Sequence, residues 1–430
     1  MRWSQVSPTR WERPLNGLET YFRFTGQAAA SSCAGREHFL MFSTVKVELN
    51  LSDVESSLRS AWKQLRYEEP ELAFTFEEIK KVYETPSKSG LEEWLRATFV
   101  VVSDVFDAEE FYHSFTRDYK HTTLYYISKS SELVLFTHHA IIDDIVLLML
   151  WNRFFILGYS SPSAEVNEKA ITMIMNDYAA RLLVIGLPSS VGKASPGACR
   201  HIERRFSRET TAAIVTACKE RAISVTSAVH AAYIRVLMEN ADPRSNATRY
   251  TSSAEFNFRP YLPEKYKNTA VCNYYSPYVL TTDLPASYTD LTQTLNIHYK
   301  TIKGNRAYME MTGTLTQTLA GLVQSPAYQT APVPTDALVS SIGVVEQYLK
   351  GEYGGVVTVK DYKLSLDIVL GMSLINFYTF DGELRLIYNF NDGYERPENI
   401  QGYLDGVEKV LRHELLGEGE GEGEGEGEGQ

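Results

Sequence analysis

Two adjacent histidines, His138 and His139, close an apolar run that begins at Leu133, and two carboxylates, Asp143 and Asp144, follow them. An unperturbed imidazole titrates near ~6.5, so either histidine is suited to act as a general base at neutral pH. Successive side chains on a strand point to opposite faces. If the strand runs through residue 139, His139 shares a face with Leu133, Leu135 and Thr137, and His138 lies on the other. The two histidines then do different jobs. Asp143 opens a strongly apolar helical pattern, so it can cap that helix or pair with a cation. A packed histidine pair followed by a capping aspartate accounts for the same residues without chemistry, and the sequence by itself leaves both readings open.

The elements that must position these residues follow from periodicity. Residues 39–49 read as a strand. Ser52 caps a helix with Val54, Leu58, Trp62 and Leu65 on one face. Residues 72–83 and 98–102 are strand-like, 108–119 helical, and 122–127 with 133–137 form a hairpin. Helices follow over 145–156 and 164–185. Residues 186–196 collect Gly, Pro and Ser and mark a linker. Beyond it come a strand at 201–206, helices at 212–222 and 225–238, and strands at 248–258 and 271–280. Helices at 288–302 and 308–322 precede strands at 337–344, 356–362, 368–380 and 384–391. Pro397 begins a last helix. Residues 1–35 carry scattered aromatics without a sustained period and are expected to drape over the body. Strands mixed with helices on both sides of the linker predict an α/β protein of two sandwich-like halves. The expected division is 1–186, linker 187–199, 200–416, and a disordered Gly-Glu tail over 417–430.

The formal charge of −12 is about half due to the six tail glutamates, leaving a mildly acidic body that is a poor partner for nucleic acid. No apolar run approaches the ~20 residues of a membrane span, and no secretory leader is evident. Cys33, Cys199, Cys218 and Cys272 lack metal-ligand spacing and read as free thiols of a cytoplasmic protein. No Gly-x-Ser-x-Gly elbow, Gly-x-Gly-x-x-Gly turn or spaced third metal ligand accompanies the histidines, which disfavours a serine hydrolase, a dinucleotide fold and a metal site.

The segment His138-His139-Ala140-Ile141-Ile142-Asp143 resembles the His-His-x-x-x-Asp motif of the chloramphenicol-acetyltransferase-like superfamily, which holds condensation domains, plant BAHD acyltransferases and fungal stand-alone O-acetyltransferases. Asn257-Phe258-Arg259-Pro260-Tyr261-Leu262-Pro263, Asn273-Tyr274-Tyr275-Ser276-Pro277-Tyr278 and Ser340-Ser341-Ile342-Gly343 resemble further segments, in order, so the likeness spans about residues 1–415. The pattern is most like fungal enzymes of the trichothecene 15-O-acetyltransferase type, and the plant Asp-Phe-Gly-Trp-Gly signature is missing. The resemblance implies two halves with a tunnel between them and His139 as the base that deprotonates an acceptor attacking an acyl thioester. It implies Asp143 paired with Arg259 to fix the loop, and His138 as structural support. Ser340 and Ser341 are then candidates to face the oxyanion. Tyr274, Tyr275, Tyr308 and Tyr378 are candidates for an acceptor pocket, with packing as the default.

The expected co-substrate is acyl-CoA, or an acyl group on a carrier protein, with a small hydrophobic acceptor, no bound cofactor or metal, and a monomeric chain. Arg200, Arg204 and Arg205 form a basic cluster within reach of coenzyme A phosphates or, more simply, a solvated strand face. One position departs from the motif: Asp144 stands where the family usually has glycine. That change keeps two other functions in play, a cyclase or condensing enzyme that uses His139 as acid or base, and a non-catalytic binding module.

Overall fold

The computed structural model describes residues 3–30, 33, 36–115, 119–156, 185–241, 247–261, 275–284, 286–304, 321, 324–325 and 337–418. The expected helices at 164–185 and 308–322, together with Tyr274, Tyr308, Cys272 and nearly all of the Gly-Glu tail, fall outside them.

The strands are β1 (Ser4–Ser7), β2 (Arg10–Pro14), β3 (Leu40–Leu49), β4 (Thr75–Glu77), β5 (Lys80–Glu84), β6 (Phe99–Val102), β7 (Thr123–Ile127), β8 (Glu132–His138), β9 (Cys199–Arg205), β10 (Arg249–Asn257), β11 (Tyr275–Asp283), β12 (Ala337–Val344), β13 (Glu352–Tyr353), β14 (Val357–Leu366), β15 (Ser373–Phe380) and β16 (Glu383–Asn391). The helices are α1 (Gly17–Ala30), α2 (Val54–Glu68), α3 (Lys88–Thr98), α4 (Ala108–Ser114), α5 (Asp144–Ile156), α6 (Arg208–Glu220), α7 (Val225–Asn240), α8 (Tyr288–Gly304) and α9 (Pro397–Val410).

Two six-stranded sheets organise the chain, in the orders β13-β14-β3-β8-β7-β6 and β11-β10-β12-β15-β16-β9. The α/β class read from the sequence is therefore the observed one. The first sheet is completed from the C-terminal half, because β14 pairs antiparallel with β3 from Val357↔Leu49 to Leu366↔Met41. One face of this sheet, with Met41, Val45, Leu133 and Leu135, joins the core of α2, α3 and α5. The opposite face, with Leu40, Phe42, Val134 and Phe136, packs under α4. In the second sheet Ile375, Phe377, Leu386 and Tyr388 pack against α6, α7 and α9. Their neighbours Leu374, Tyr378 and Ile387 point the other way and join the core of the first sheet. The halves share one apolar interior, so neither sheet is closed without the other.

Local chemistry sets the helix starts. Asp53, Ser87, Asp107, Ser207 and Ser224 each accept a backbone N–H at an N-terminus, satisfying donors that helical geometry leaves free. Asp53 rather than Ser52 is thus the cap of α2. The segment expected as a linker packs on the body at residue 197: Gly197 N–H donates to Asn391 Oδ1 at 2.6 Å, and a Cβ at Gly197 would lie 2.0 Å from Asp392 Oδ1.

Two expectations need correction. Residues 1–35 form structure of their own, a β1–β2 hairpin and α1, with β1, β2, β5 and β4 making a small sheet. Residues 72–83 are not one strand but a 3₁₀ turn and the β4–β5 hairpin, because Glu78 takes a left-handed backbone (φ 51°) at the reversal.

Leu364 lies on β14 and is fully buried, so Leu364→Ala is expected to cost ~2–5 kcal/mol. Urea unfolding followed by far-UV and near-UV circular dichroism checks this. Both signals should fall together at a lower midpoint; an unchanged midpoint, or two separated transitions, would contradict a shared interior.

Candidate active site

Strand β8 ends at His138, one residue earlier than the alternation assumed. The chain then turns: His139 N–H donates to the Phe39 carbonyl at 3.1 Å and Ile141 N–H to the His138 carbonyl at 2.8 Å. His138 is fully buried. Its Nδ1 accepts Ala140 N–H at 2.9 Å, and its Nε2 stands 3.4 Å from Glu37 Oε2. Burial, with Arg23 and His139 nearby, holds its pKa well below the ordinary value, so the ring is neutral.

The partly exposed His139 ring is framed by aromatics. Phe22 of α1 stacks on it with centroids 4.2 Å apart and planes 7° off parallel. Phe39 meets it edge-on at 6.2 Å, and Tyr275 of β11 lies at 5.8 Å. Burial lowers its pKa to about 4, opposed by backbone hydrogen bonding and the charge of Asp143. Phe39 adopts φ 64°, a costly backbone for a bulky residue, which the packed surroundings enforce. Its N–H donates to the Asp367 carbonyl at 3.2 Å while its carbonyl receives His139.

Helix α1 was not expected, yet it supplies much of this frame. Arg23 donates to both oxygens of Glu37 at 2.9 Å, and Glu37 is the carboxylate beside His138. A Cβ on Gly26 would come within 2.8 Å of His138 Nε2, so only glycine lets α1 approach this closely. The sequence carries a signal for α1 in a reciprocal capping box. Glu19 N–H donates to Asn16 Oδ1, and Asn16 N–H to Glu19 Oε2, both at 2.9 Å.

Asp143 does two things at once. Its Oδ1 accepts Val146 N–H at 2.9 Å, capping α5. Its Oδ2 receives Arg259 Nη2 at 3.0 Å, with exposures of 1% and 3%. Arg259 is itself held by its N–H donating to Asn257 Oδ1 at 3.0 Å. The pair joins the end of β8 to the end of β10 across the two sheets.

Asp144 accepts Ser340 Oγ–H at 3.3 Å and its neighbour Ile145 N–H at 3.2 Å. Enclosure by protein and the adjacent Asp143 raise it to about 6. Ser341 points elsewhere, its Oγ 2.9 Å from Thr226 Oγ1 at the start of α7. A further carboxylate was not anticipated. Glu255 of β10 is raised to about 8 by desolvation and by Asp144 and Asp143. The residue is nevertheless exposed to solvent over part of its surface.

Tyr378 lies in the core with its hydroxyl on the Tyr362 carbonyl at 3.0 Å, so it lines no pocket. The arginines of β9 are engaged: Arg200 with Asp392 at 3.0 Å, Arg204 with Asp405 and Glu408, and Arg205 with Glu203 at 2.9 Å. They form a paired strand face. Among the described residues no cluster of three or more potential metal ligands occurs, and no helix is long and apolar enough to cross a membrane.

No protein-family model matches the chain. In sequence it is 26% identical to the acetyltransferase pigO of Monascus ruber, over 96% of this chain and 98% of that protein. It is also 26% identical to the O-acetyltransferase pigM of the same organism, over 96% of this chain and 87% of that one. In structure it matches the trichothecene 15-O-acetyltransferase TRI3 of Fusarium sporotrichioides with a TM-score of 0.78 at 14% identity, covering 95% of this chain and 96% of that one. The chain has the fold of that enzyme.

Replacing Phe22 with leucine removes the ring that shields one face of His139 while keeping an apolar side chain. The His139 titration midpoint, read by NMR of its ring, is expected to rise from about 4 toward the ordinary ~6.5. A midpoint that stays put would show that Phe22 does not control the solvation of the imidazole. His138, Asp143 and Tyr275 are the other polar or charged neighbours, and the variant leaves them in place.

Proposed function

We propose that the protein is an acyltransferase that moves an acyl group from a thioester, carried by coenzyme A or a carrier protein, to a hydroxyl of a hydrophobic secondary metabolite. The observation that carries this reading is His139: a neutral imidazole in an aromatic frame, on a loop pinned by a buried ion pair at the junction of two sheets. The acetyltransferase relatives, similar over nearly the whole chain, and the shared fold support it.

In this mechanism His139 takes the proton of the acceptor hydroxyl. The oxygen attacks the thioester carbonyl carbon, the carbonyl becomes an oxyanion, and its collapse breaks the C–S bond. The departing thiolate takes the proton back from His139. With a pKa of about 4 the empty enzyme loses no base to imidazolium at pH 7. The cost is weaker basicity, which the developing oxyanion offsets by stabilising the imidazolium beside it. Asp143 is committed to Arg259 and to the α5 cap, so it serves as an anchor rather than a base. His138 supports the turn through Ala140 N–H.

An oxyanion needs donors about 2.7–3.1 Å away. The Ser340 hydroxyl is engaged by Asp144 and the Ser341 hydroxyl is turned to Thr226 at the start of α7, so the oxyanion is assigned to neither.

Mass spectrometry of hydroxylated polyketide acceptors incubated with acetyl-CoA tests this reading. An acetyl increment on the acceptor with release of free coenzyme A is expected. His139→Ala should reduce the rate by roughly 10²–10⁴-fold at an unchanged thermal midpoint. Undiminished transfer by a folded His139→Ala protein would overturn the mechanism, and a product of unchanged or water-reduced mass would point to cyclisation instead.

A further inference from the structure

The face of the second sheet that looks toward the first carries a polar row that acyl transfer does not use. Ala254 pairs with Val339 in parallel, which brings Glu255 of β10 alongside Ser340 of β12. Ser340 pairs in register with Asn376 of β15. Residues of the same parity on these strands, Ile342, Leu374 and Tyr378, belong to the core shared with the N-terminal half, so the row faces that half. From there the start of α5 brings Asp144 down onto Ser340. Tyr275 of β11, whose ring borders His139, stands two residues from the Pro277 that pairs with Glu255.

The charges in this space do not balance. Asp143, Asp144 and Glu255 are three carboxyls, and Arg259 is the cation set among them, committed to Asp143. Glu255 makes no hydrogen bond or ion pair among the described residues. Two buried polar atoms on the same face also lack partners there: Nδ2 of Asn376, 1% exposed, and the hydroxyl of Tyr275, 6% exposed. A buried polar atom without a partner costs about 1–3 kcal/mol, and native proteins keep few of them. Such atoms beside two unneutralised carboxyls mark a place that a bound molecule completes.

We propose that Glu255 and Asp144 form a subsite for a cationic nitrogen, a protonated amine or iminium, carried by the acceptor, with Asn376 and Tyr275 hydrogen-bonding polar atoms next to it. This rests on the acyltransferase reading for the word acceptor and specifies the acceptor's class: a hydrophobic molecule with a basic nitrogen a short distance from its reactive hydroxyl. Asp144 in place of the family's glycine then has a purpose. It supplies one carboxylate of the subsite, and Ser340 holds it in place. Desolvation, with Asp144 and Asp143 nearby, raises Glu255 to about 8, so at pH 7 Glu255 of the empty site holds a proton. An arriving cation favours its ionised form, so binding expels that proton.

The test is a binding equilibrium without acyl donor, so its outcome does not depend on whether acyl transfer occurs. n-Hexylammonium and 1-hexanol are compared by calorimetry at pH 7 on the full-length protein, Glu255→Gln and Asp144→Asn, each with its thermal midpoint. The wild type should bind hexylammonium at least tenfold tighter than hexanol. It should also release protons, seen as an apparent enthalpy that differs between phosphate and Tris buffers. Each substitution should abolish the preference, and Glu255→Gln also the proton release, while hexanol affinity changes less than twofold. Undetectable hexylammonium binding, equal affinities, or a preference that survives both substitutions in folded protein would overturn the proposal.

Discussion

The ion pair between Asp143 and Arg259 is the constraint on which the rest depends. It spans 116 residues of sequence at 3.0 Å in nearly complete burial. Burying two charges costs several kcal/mol per ion, so such a pair persists only with good geometry and additional hydrogen bonds. Both conditions hold: the α5 N-terminus donates to Asp143 and Asn257 holds Arg259. The pair fixes the His138–Asp143 turn to the end of β10, and β14 crossing into the first sheet keeps those two places from drifting apart. The site is thus a property of the junction and of neither half alone.

Helix α1 is the second support, and it works on the imidazole directly. The Phe22 stack, the strained Phe39 and the Arg23–Glu37–His138 chain pack around the turn. One support sets where the loop lies and the other sets how the base is solvated. Together they hold His139 neutral and oriented before any ligand arrives, which is the preorganisation that acid–base chemistry requires.

The motif side of this arrangement was legible in the sequence. A strand into His-His, an aspartate at a helix start and an arginine after a later strand are local patterns, and the structure brings Asp143 and Arg259 together. The split of roles between the histidines was anticipated from strict alternation; in the structure it comes from the strand ending at His138, so the turn rather than the pleat separates them. Glu255, Asn376 and Thr226 were missed because their proximity is set by register between strands and helices 36 to 115 residues apart, which no local period encodes. Phe22 and Glu37 were missed for a different reason: the aromatic scatter of residues 1–35 hid a helix whose capping box, Asn16 to Glu19, was readable. Ser340 and Ser341 were treated alike, yet adjacent strand positions face opposite ways, and one meets Asp144 while the other meets Thr226.

The central claim is that the Asp143–Arg259 pair acts as one unit in placing His139. The most direct measurement is a double-mutant cycle with Asp143→Asn, Arg259→Gln and the double variant, read as kcat/KM for acetyl transfer. If the pair is one unit, the double variant is no slower than the slower single variant, and the coupling is as large as the single effects. Effects that add in the double variant would mean that the two residues act independently, and would contradict the account.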